Sequence, residues 1–212
     1  MNYRFLVAAL FCSISLGAQA EGFAGGSIGL VGNPNWTDEF NKYMVANGAS
    51  SSKTEQNSVS ASLNLRGGYW LNDNFGAEGG LISIGEAKGD NTTTGGQAGT
   101  STYAFTTGAL YATALGGLKL GKGRLYGKAG LFSASTELKT TTTIPGQVGA
   151  TTKASSTGLI FGAGYSIHVM NHLSIRPELT IMSGVKFKNL DDTKPDDKKT
   201  LTQFSVGADY MF

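Results

Sequence analysis

The chain has 212 residues, 17 of them Lys or Arg and 15 Asp or Glu, so its formal net charge at neutral pH is only +2. This balance excludes the strong basic surface that a nucleic-acid-binding protein needs, and the length suits a single domain. Hydrophobic residues make up 40% of the chain, but beyond the first segment no apolar run reaches the ~20 residues of a membrane helix. Any membrane-spanning part must therefore be built from strands.

Residues 1–20 have the pattern of a cleaved export signal. A basic start precedes an apolar stretch over residues 5–16, and Ala18-Gln19-Ala20 supplies the small residues that signal peptidase requires. We therefore expect cleavage before Glu21, with residues 21–212 forming a single mature domain. The only cysteine lies within the signal, so the exported chain is expected to have no disulfide, even in the oxidising periplasm.

Eight stretches of the mature chain place apolar residues at every second position, which is the period of a β-strand with one apolar face. These series are Ala24/Gly26/Ile28/Leu30, Val59/Ala61/Leu63/Leu65/Tyr69, Phe75/Ala77/Leu81, Ala109/Tyr111/Leu115, Leu125/Ala129/Leu131, Leu159/Phe161/Ala163/Tyr165/Ile167/Val169, Leu173/Ile175/Leu179/Ile181 and Phe204/Val206/Ala208/Tyr210/Phe212. Gly, Ser and Thr, with a few charged residues, occupy most positions between them. The pattern predicts an all-β fold, an eight-stranded antiparallel transmembrane β-barrel with its apolar face outward.

The segments between these strands alternate in length. Long segments lie near residues 33–56, 86–102, 137–157 and 185–200, and short turns lie at residues 72–74, 121–123 and 170–172. An even number of strands returns both mature termini to the side of the short turns, which in a membrane barrel is the periplasm. The long segments are therefore predicted to be extracellular loops and to carry any recognition.

A short amphipathic helix is predicted in the first long segment. Apolar residues recur there at helical spacing, at Trp36, Phe40, Tyr43 and Met44. Thr37 is placed to be the N-cap and Gly48 to end the helix. We expect the apolar side of this helix to pack over the mouth of the barrel; the alternatives are contact with the membrane surface and contact with a partner in adhesion.

A soluble eight-stranded barrel such as a lipocalin is the rival structural interpretation, because it alternates in the same way with its apolar face turned inward. The face of small residues argues against the soluble barrel. Small residues would form a poor solvated exterior, but they fit a narrow barrel interior. The chain also ends on an alternating strand at Phe212, as outer-membrane barrels do. On that basis Tyr210 and Phe212 are the expected signal for the barrel-assembly machinery, and six aromatic residues are expected in a periplasmic girdle: Tyr69, Trp70, Phe75, Tyr126, Tyr210 and Phe212.

Several segments give the chain a resemblance to a known family. They are Gly67-Gly68-Tyr69, Asn72, the run Gly76-Ala77-Glu78-Gly79-Gly80, the stretch 164–178 with Arg176 and Glu178, and the closing Val206-Gly207-Ala208-Asp209-Tyr210-Met211-Phe212. In these segments the chain resembles the transmembrane domain of outer-membrane protein A and the small eight-stranded outer-membrane barrels related to it. The resemblance implies a location in the bacterial cell outer membrane, contact with its lipid and lipopolysaccharide, and a non-enzymatic role in stabilising the envelope and presenting surface loops.

The alternation places six charged residues on the inward face, close to the short turns or the C-terminus: Arg66, Glu78, Lys128, Arg176, Glu178 and Asp209. Three positive and three negative charges in so narrow a lumen are predicted to pair and to plug it, with an ion pathway as the alternative. By the resemblance, four of the six match the family's interior ion-pair cluster: Glu78, Lys128, Arg176 and Glu178. Ala114 and Ser166 stand where that family has a Lys and a Glu that compete for partners, so a partner-switching gate is not expected.

The sequence offers no catalytic or metal-binding constellation. The known barrel enzymes that act on lipid A or on peptides need a His near the outer leaflet, whereas His168 and His172 flank a short periplasmic turn. Asp191-Asp192 and Asp196-Asp197 are neutralised by neighbouring lysines and lack calcium-loop spacing. We therefore expect no enzyme activity, no metal and no cofactor.

Three functional hypotheses follow, in decreasing order of support. The first is a structural barrel with a surface-interaction role, and the second is a small porin-like pore that passes ions or small solutes. The third is a loop-borne adhesin like the outer-membrane protein X group. Conductance separates the first two hypotheses, and trimming residues 33–56 or 137–157 tests the third. Nothing in the polar loop segments specifies a ligand.

Overall fold

A computed structural model of this protein describes residues 21–95, 98–146, 148–188 and 196–212. Its strands close into a barrel. In chain order the elements are β1 (Glu21–Gly32), α1 (Thr37–Ala46), β2 (Ser51–Gln56), β3 (Val59–Trp70), β4 (Phe75–Thr94), β5 (Gly99–Leu120), β6 (Gly123–Thr142), β7 (Thr151–Met170), β8 (Leu173–Phe187) and β9 (Asp197–Met211). The predicted export signal, residues 1–20, and Asp191-Asp192 lie outside the described residues.

The first and last strands close the barrel by pairing with each other. β1 pairs antiparallel with β9 from Phe23↔Met211 to Gly32↔Thr202, and it pairs with β3 on its other side. From β3 to β9, each strand pairs with the next along the chain. β2 pairs only with the upper part of β4, where it continues the line of β3 beyond a break at residues 57–58. The wall therefore has eight strand positions, and the predicted eight-stranded antiparallel barrel is confirmed.

The outer surface of the barrel carries a belt of apolar side chains. Its most exposed members include Ile28, Phe75, Leu131 and Phe204. Seven of the eight apolar series predicted from the alternation face outward. The lumen side carries the intervening small and polar residues together with larger side chains that fill it. This is the distribution of a barrel whose outside is in contact with lipid.

The predicted orientation of β5 is wrong. Tyr111 and Leu115, expected on the outside together with Ala109, are buried in the lumen, and Leu110 is exposed instead. This strand has apolar residues on both faces, so its period-two pattern alone does not identify the outer one. The neighbouring strand β4 identifies the outer face of β5, because Leu110 pairs with the outward-facing Leu81 and so extends the apolar belt.

Strands, rather than loops, form most of the segments beyond the apolar belt. β4 and β5 extend to Thr94 and Gly99, and β6 and β7 extend to Thr142 and Thr151. Threonine favours strands because its β-branched side chain packs well on a pleated surface. Near the tips, the hydroxyls of Thr100 and Thr143 lie 3.1 Å apart across neighbouring chain segments. The segments predicted as loops near residues 86–102 and 137–157 are therefore mainly raised β-walls.

The short turns lie at the opposite end of the barrel, at residues 71–74, 121–122 and 171–172. In the first turn, Asn72 Oδ1 accepts hydrogen bonds from the backbone N–H groups of Asn74 and Phe75, each 2.9 Å long. Asparagine is common in turns because its side chain closes such local hydrogen bonds. In the second turn Gly121 has a φ of 59°, a left-handed conformation that glycine adopts without strain.

Helix α1 lies in the mouth of the barrel. The ring of Trp36, just before the helix, stacks on Phe105 with centroids 4.4 Å apart, and Phe40 stacks on Tyr103 at 4.5 Å. Phe105 and Tyr103 are lumen-facing residues near the top of β5, and all four rings are buried. The apolar side of the helix therefore packs into the mouth, as predicted.

The start of α1 differs from the prediction. Trp36, not Thr37, occupies the N-cap position, and its side chain makes no capping hydrogen bond. Thr37 is the first helical residue, and its backbone N–H and its hydroxyl both donate to Asn35 Oδ1, at 2.9 and 2.6 Å. The helix ends at Ala46, two residues before Gly48, whose φ is 98°. Among the residues that the structure describes, no helix is long and apolar enough to cross a membrane.

Candidate functional site

Four buried charged side chains contact one another at the centre of the lumen. Arg176 Nη2 lies 2.5 Å from Glu78 Oε2 and 2.8 Å from Glu178 Oε2. Lys128 Nζ lies 2.7 Å from Glu178 Oε1 and 3.2 Å from Glu78 Oε1. Each cation therefore contacts both carboxylates, and each carboxylate contacts both cations. Such reciprocal pairing offsets the cost of removing all four charges from water.

Two further charged residues extend this arrangement along the wall. Asp209 Oδ1 accepts a hydrogen bond of 2.8 Å from Arg66 Nε, and Asp209 Oδ2 lies 3.4 Å from Arg176 Nη1. The structure thus brings all six residues predicted on the inward face into one connected group. We call these six the lumen ion network: Arg66, Glu78, Lys128, Arg176, Glu178 and Asp209. Its charges balance, three positive against three negative.

Glycines on neighbouring strands make room for the lumen ion network. Each of the six charged residues is paired in register with at least one glycine. A Cβ atom on Gly162, opposite Lys128, would lie 2.8 Å from Lys128 Cε. A Cβ atom on Gly207, opposite Arg176, would lie 2.8 Å from Arg66 Nη2. The glycine-rich inward face therefore leaves the space that long charged side chains need in a narrow barrel.

Hydroxyl groups complete the coordination of the two glutamates. Tyr111 Oη donates to Glu78 Oε1 at 2.9 Å, and Tyr126 Oη donates to Glu178 Oε2 at 2.5 Å. Arg176 Nε in turn donates to Tyr126 Oη, and Thr180 Oγ1 donates to Glu178 Oε1 at 2.8 Å. Sequence reasoning missed both tyrosines as network members. Tyr126 could have been found, because it has the same parity as Lys128 on β6.

An apolar layer closes the periplasmic end of the lumen below the network. It consists of Phe23, Trp70, Leu115, Tyr126 and Met211, all buried. Trp70 and Tyr126 were predicted in an outer aromatic girdle, and that assignment is wrong because both rings fill the lumen. Phe75, Tyr210 and Phe212 of the predicted girdle are exposed on the outside.

A larger apolar layer fills the lumen between the network and the mouth. It includes Val31, Ile82, Phe132, Ile160, Met182 and Leu201 from the wall, and it is continuous with Trp36, Phe40 and Met44 at the helix. Polar contacts lie between the layers, such as the 2.7 Å hydrogen bond from Gln203 Nε2 to Ser62 Oγ. The lumen ion network is therefore enclosed from both ends by apolar side chains.

The structure locates the two positions at which the chain was expected to depart from the resembled family, Ala114 and Ser166. Ala114 does not face the lumen, because Thr113 and Leu115 on either side of it are buried there and Ala114 is exposed. Thr113 is the inward residue beside Glu78, and its Oγ1 donates to the Glu78 carbonyl oxygen at 3.4 Å. Ser166 is half-buried and pairs in register with Arg124, nearer to the periplasmic turns. The expected comparison at Ala114 is therefore wrong by one residue.

The two histidines, His168 and His172, lie at the periplasmic end of the barrel, and their rings contact backbone carbonyl oxygens. His168 Nδ1 lies 3.1 Å from the Lys122 carbonyl oxygen, and His172 Nδ1 lies 3.0 Å from the Met211 carbonyl oxygen. In the part of the chain that the structure describes, no group of His, Cys, Asp and Glu residues could hold a metal ion. Each ring contacts the backbone of a neighbouring turn or strand end.

Comparison with known proteins identifies the family. The model of the outer membrane protein beta-barrel domain matches residues 5–212. A search among curated proteins found no match. Three solved structures that resemble the chain are Neisserial surface protein A (12% identity, TM-score 0.55, 91% of this chain and 99% of that one), a major outer membrane protein of Thermus thermophilus (12%, 0.52, 91% and 99%) and Ail, the attachment invasion locus protein of Yersinia pestis (16%, 0.48, 92% and 99%).

The structural likeness is one of fold, with the barrel shared over nearly the whole described chain. The match to the family model covers almost all of the sequence. The apolar outer belt and the closed ring of strands agree with that assignment. The chain belongs to the outer-membrane β-barrel domain family and is a protein of the bacterial outer membrane.

Proposed function

We propose that this protein is a non-enzymatic structural barrel that stabilises the outer membrane and presents a rigid polar wall to the outside. The observation that carries this proposal is that buried side chains occupy the lumen in successive layers. The apolar layer at the periplasmic end, the lumen ion network, the upper apolar layer and helix α1 follow one another from the turns to the mouth. A filled barrel of eight strands is a rigid membrane anchor rather than a channel.

The raised β-walls supply the surface-interaction part of the proposal. Their outward side chains are threonines and mixed charges, with exposed ion pairs such as Lys53–Glu55 at 2.7 Å and Lys153–Glu137 at 2.9 Å. Strand pairing holds these side chains in a fixed arrangement, so a partner does not have to order a flexible loop on binding. A wall of this kind suits polar extracellular ligands, and an adhesin role on these walls is the form of surface interaction that it supports.

The same filled lumen argues against the alternative of a small pore. Ions would have to cross two apolar layers as well as the paired charges of the lumen ion network, and each of these is a barrier in a medium of low dielectric constant. The wild-type protein is therefore expected to be silent in a planar bilayer. The Arg176→Ala variant is expected to be silent as well, since both apolar layers remain. Discrete openings that the mutation alters would restore the pore hypothesis, provided that heat-modifiable gel mobility shows folded protein in the same sample.

A cell-based experiment tests the envelope role. Deletion of the gene is expected to make cells more sensitive to SDS in the presence of EDTA, because the outer membrane loses a rigid component. Expression of the full chain from a plasmid should restore resistance, and so should a chain whose β6–β7 wall is shortened between residues 139 and 153. Unchanged sensitivity in the deletion strain would contradict the envelope role. If the shortened variant restores resistance but no longer binds an extracellular surface, the binding is assigned to the β6–β7 wall.

Export and assembly complete the proposal. Residues 1–20 act as the cleaved signal, and Tyr210 and Phe212, both exposed at the end of β9, act as the signal for the barrel-assembly machinery. The assembly role of Tyr210 and Phe212 is supported by the pairing of β9 with β1, because this pairing makes the last strand the one that closes the barrel. In the membrane, the apolar belt contacts lipid and the raised walls contact lipopolysaccharide.

A further inference from the structure

A second polar site lies at the periplasmic end, apart from the lumen ion network. It is an open cavity of about 490 Å³ between the β5–β6 turn and the β7–β8 turn. Its lining includes Glu21, Lys119, Lys122, Arg124, His168 and Met170. The proposed structural role of the barrel does not use any of these residues.

The cavity has an excess of positive charge. Lys119 is paired with Asp73 at 2.5 Å, and the hydrogen bond from Lys119 lowers the pKa of the Asp73 carboxyl, so this exposed pair neutralises itself. Arg124 Nη1 lies 3.6 Å from Glu21 Oε2. Among the described residues, no carboxylate lies within ion-pair distance of Lys122. Three cations and two carboxylates leave one positive charge, which equals the charge that a single phosphodiester would neutralise.

Arg124 provides the buried part of the site. Its side chain is almost fully buried, and its guanidinium carbon lies over the Trp70 ring, 4.0 Å from the ring centre. Within the described chain, its Nε has no hydrogen-bond partner. A buried guanidinium N–H without an acceptor costs free energy, so an oxygen acceptor that reached this N–H would stabilise the protein. Arginine presents its donors in a planar fork that matches phosphate oxygens.

The outer rim of the cavity is apolar. Val169 and Met170 line it and are exposed, and Leu118 and Leu120 are exposed on the adjacent outer face of β5. These side chains lie at the periplasmic end of the apolar belt, where the headgroups of the inner leaflet meet the acyl chains. His168 holds the neighbouring turn in place, because its backbone N–H donates to the Lys122 carbonyl oxygen at 3.0 Å. A cationic cavity with an apolar rim at this depth fits an amphiphile with a phosphate headgroup.

We propose that this cavity binds the phosphodiester headgroup of a phospholipid of the inner leaflet. Arg124 and Lys122 hold the phosphate oxygens, and the acyl chains lie along Val169, Met170 and the adjacent leucines of β5. The lipid would thereby fix the depth of the barrel in the membrane. Free inorganic phosphate shares the headgroup chemistry but lacks the acyl chains, so the apolar rim gives it no added affinity.

Native mass spectrometry of the folded mature protein, residues 21–212, in detergent tests the proposal. The probes are dioleoyl phosphatidylethanolamine, dioleoylglycerol, which has the same acyl chains without the phosphate, and inorganic phosphate. The variants are Lys122→Ala and Arg124→Ala, with Lys53→Ala, an exposed lysine on the opposite rim, as the matched control. We expect one phospholipid to stay bound to the wild type and to Lys53→Ala. The affinity of each site variant for it should be about tenfold lower.

Three results would overturn the proposal. Equal retention of phospholipid and dioleoylglycerol, or equal retention by all variants, would mean that the lipid is annular and not held by its headgroup. Binding of inorganic phosphate as tight as that of phospholipid would mean that the apolar rim contributes nothing and that the ligand is a free anion. Lys122 is exposed in a turn, so its variant keeps the test valid even if Arg124→Ala does not fold.

Discussion

The Glu78→Ala variant is expected to lose about 3–5 kcal/mol of unfolding free energy, because the substitution removes one of the two carboxylates that contact both Lys128 and Arg176. Glu78 contacts Arg176 at 2.5 Å and Lys128 at 3.2 Å, and all three side chains are almost inaccessible to water. In the variant Glu178 remains as the carboxylate between both cations, and Tyr111 loses its hydrogen-bond acceptor. An uncompensated positive charge would then be enclosed between two apolar layers.

Urea unfolding of the protein refolded into lipid vesicles measures this effect through tryptophan fluorescence. Trp70 lies in the apolar layer directly below the network and reports on its environment. The control is Glu55→Ala, which removes the 2.7 Å ion pair to Lys53 at the exposed rim and is expected to leave the urea midpoint unchanged. An unchanged midpoint for Glu78→Ala would falsify the view that the network holds the barrel together.

A double variant separates electrostatic loss from simple loss of volume. Glu78→Ala combined with Lys128→Met removes one negative and one positive charge, so the remaining network is neutral again. If uncompensated charge causes the instability, the double variant is expected to be more stable than Glu78→Ala, although it removes more side chains. If packing volume is the cause, the double variant should be at least as unstable as the single one. Glu78→Gln, which keeps the volume, provides the same comparison should the alanine variant fail to refold.

The strand pattern was predictable because lipid and lumen impose opposite demands on successive residues. The alternation has only one interpretation where large apolar residues alternate with small, polar or charged ones, as in Leu63-Asn64-Leu65-Arg66. In such segments the structure confirms the predicted outward and inward faces. Where both faces are apolar, as along β5, the pattern is ambiguous and the prediction for Tyr111 and Leu115 failed. Orientation there depends on pairing with β4, which is not a local property.

The members of the lumen ion network were predictable, but their partners were not. A charged residue on the inward face of a narrow membrane barrel has to pair with another charge. The odd–even alternation along each strand is therefore enough to identify residues such as Arg66 and Glu78 as network members. Which atoms meet depends on the stagger of the strands around the barrel, and Arg66 and Asp209 are 143 positions apart in the chain. The aromatic residues were assigned to the interface by type. Trp70 and Tyr126 lie inside because the lumen also needs large side chains to close it.

The Phe40→Ala variant is expected to release helix α1 from the mouth without unfolding the barrel. Phe40 is almost fully buried and stacks on Tyr103 at 4.5 Å, and loss of a buried Phe side chain costs about 3–5 kcal/mol. The cost falls on the docking of the helix, because α1 lies outside the strand ladder and its release breaks no ladder hydrogen bond. Met44, one turn further along the helix, remains buried, and the rim adds polar contacts such as Glu39 to Lys199 at 3.1 Å.

Hydrogen exchange measured by mass spectrometry distinguishes this local opening from global instability. In Phe40→Ala, amides of residues 37–46 are expected to exchange faster, while those of β6 and β7 keep their protection and the urea midpoint stays unchanged. The control is Val45→Ala on the same helix, since Val45 is 51% exposed and its loss leaves the packed side intact. Unchanged exchange in α1 would mean that Met44 and the rim contacts hold the helix without Phe40. A planar bilayer should stay silent even with the helix released, because the lumen ion network and the layer around Phe23 and Trp70 still block the barrel below it.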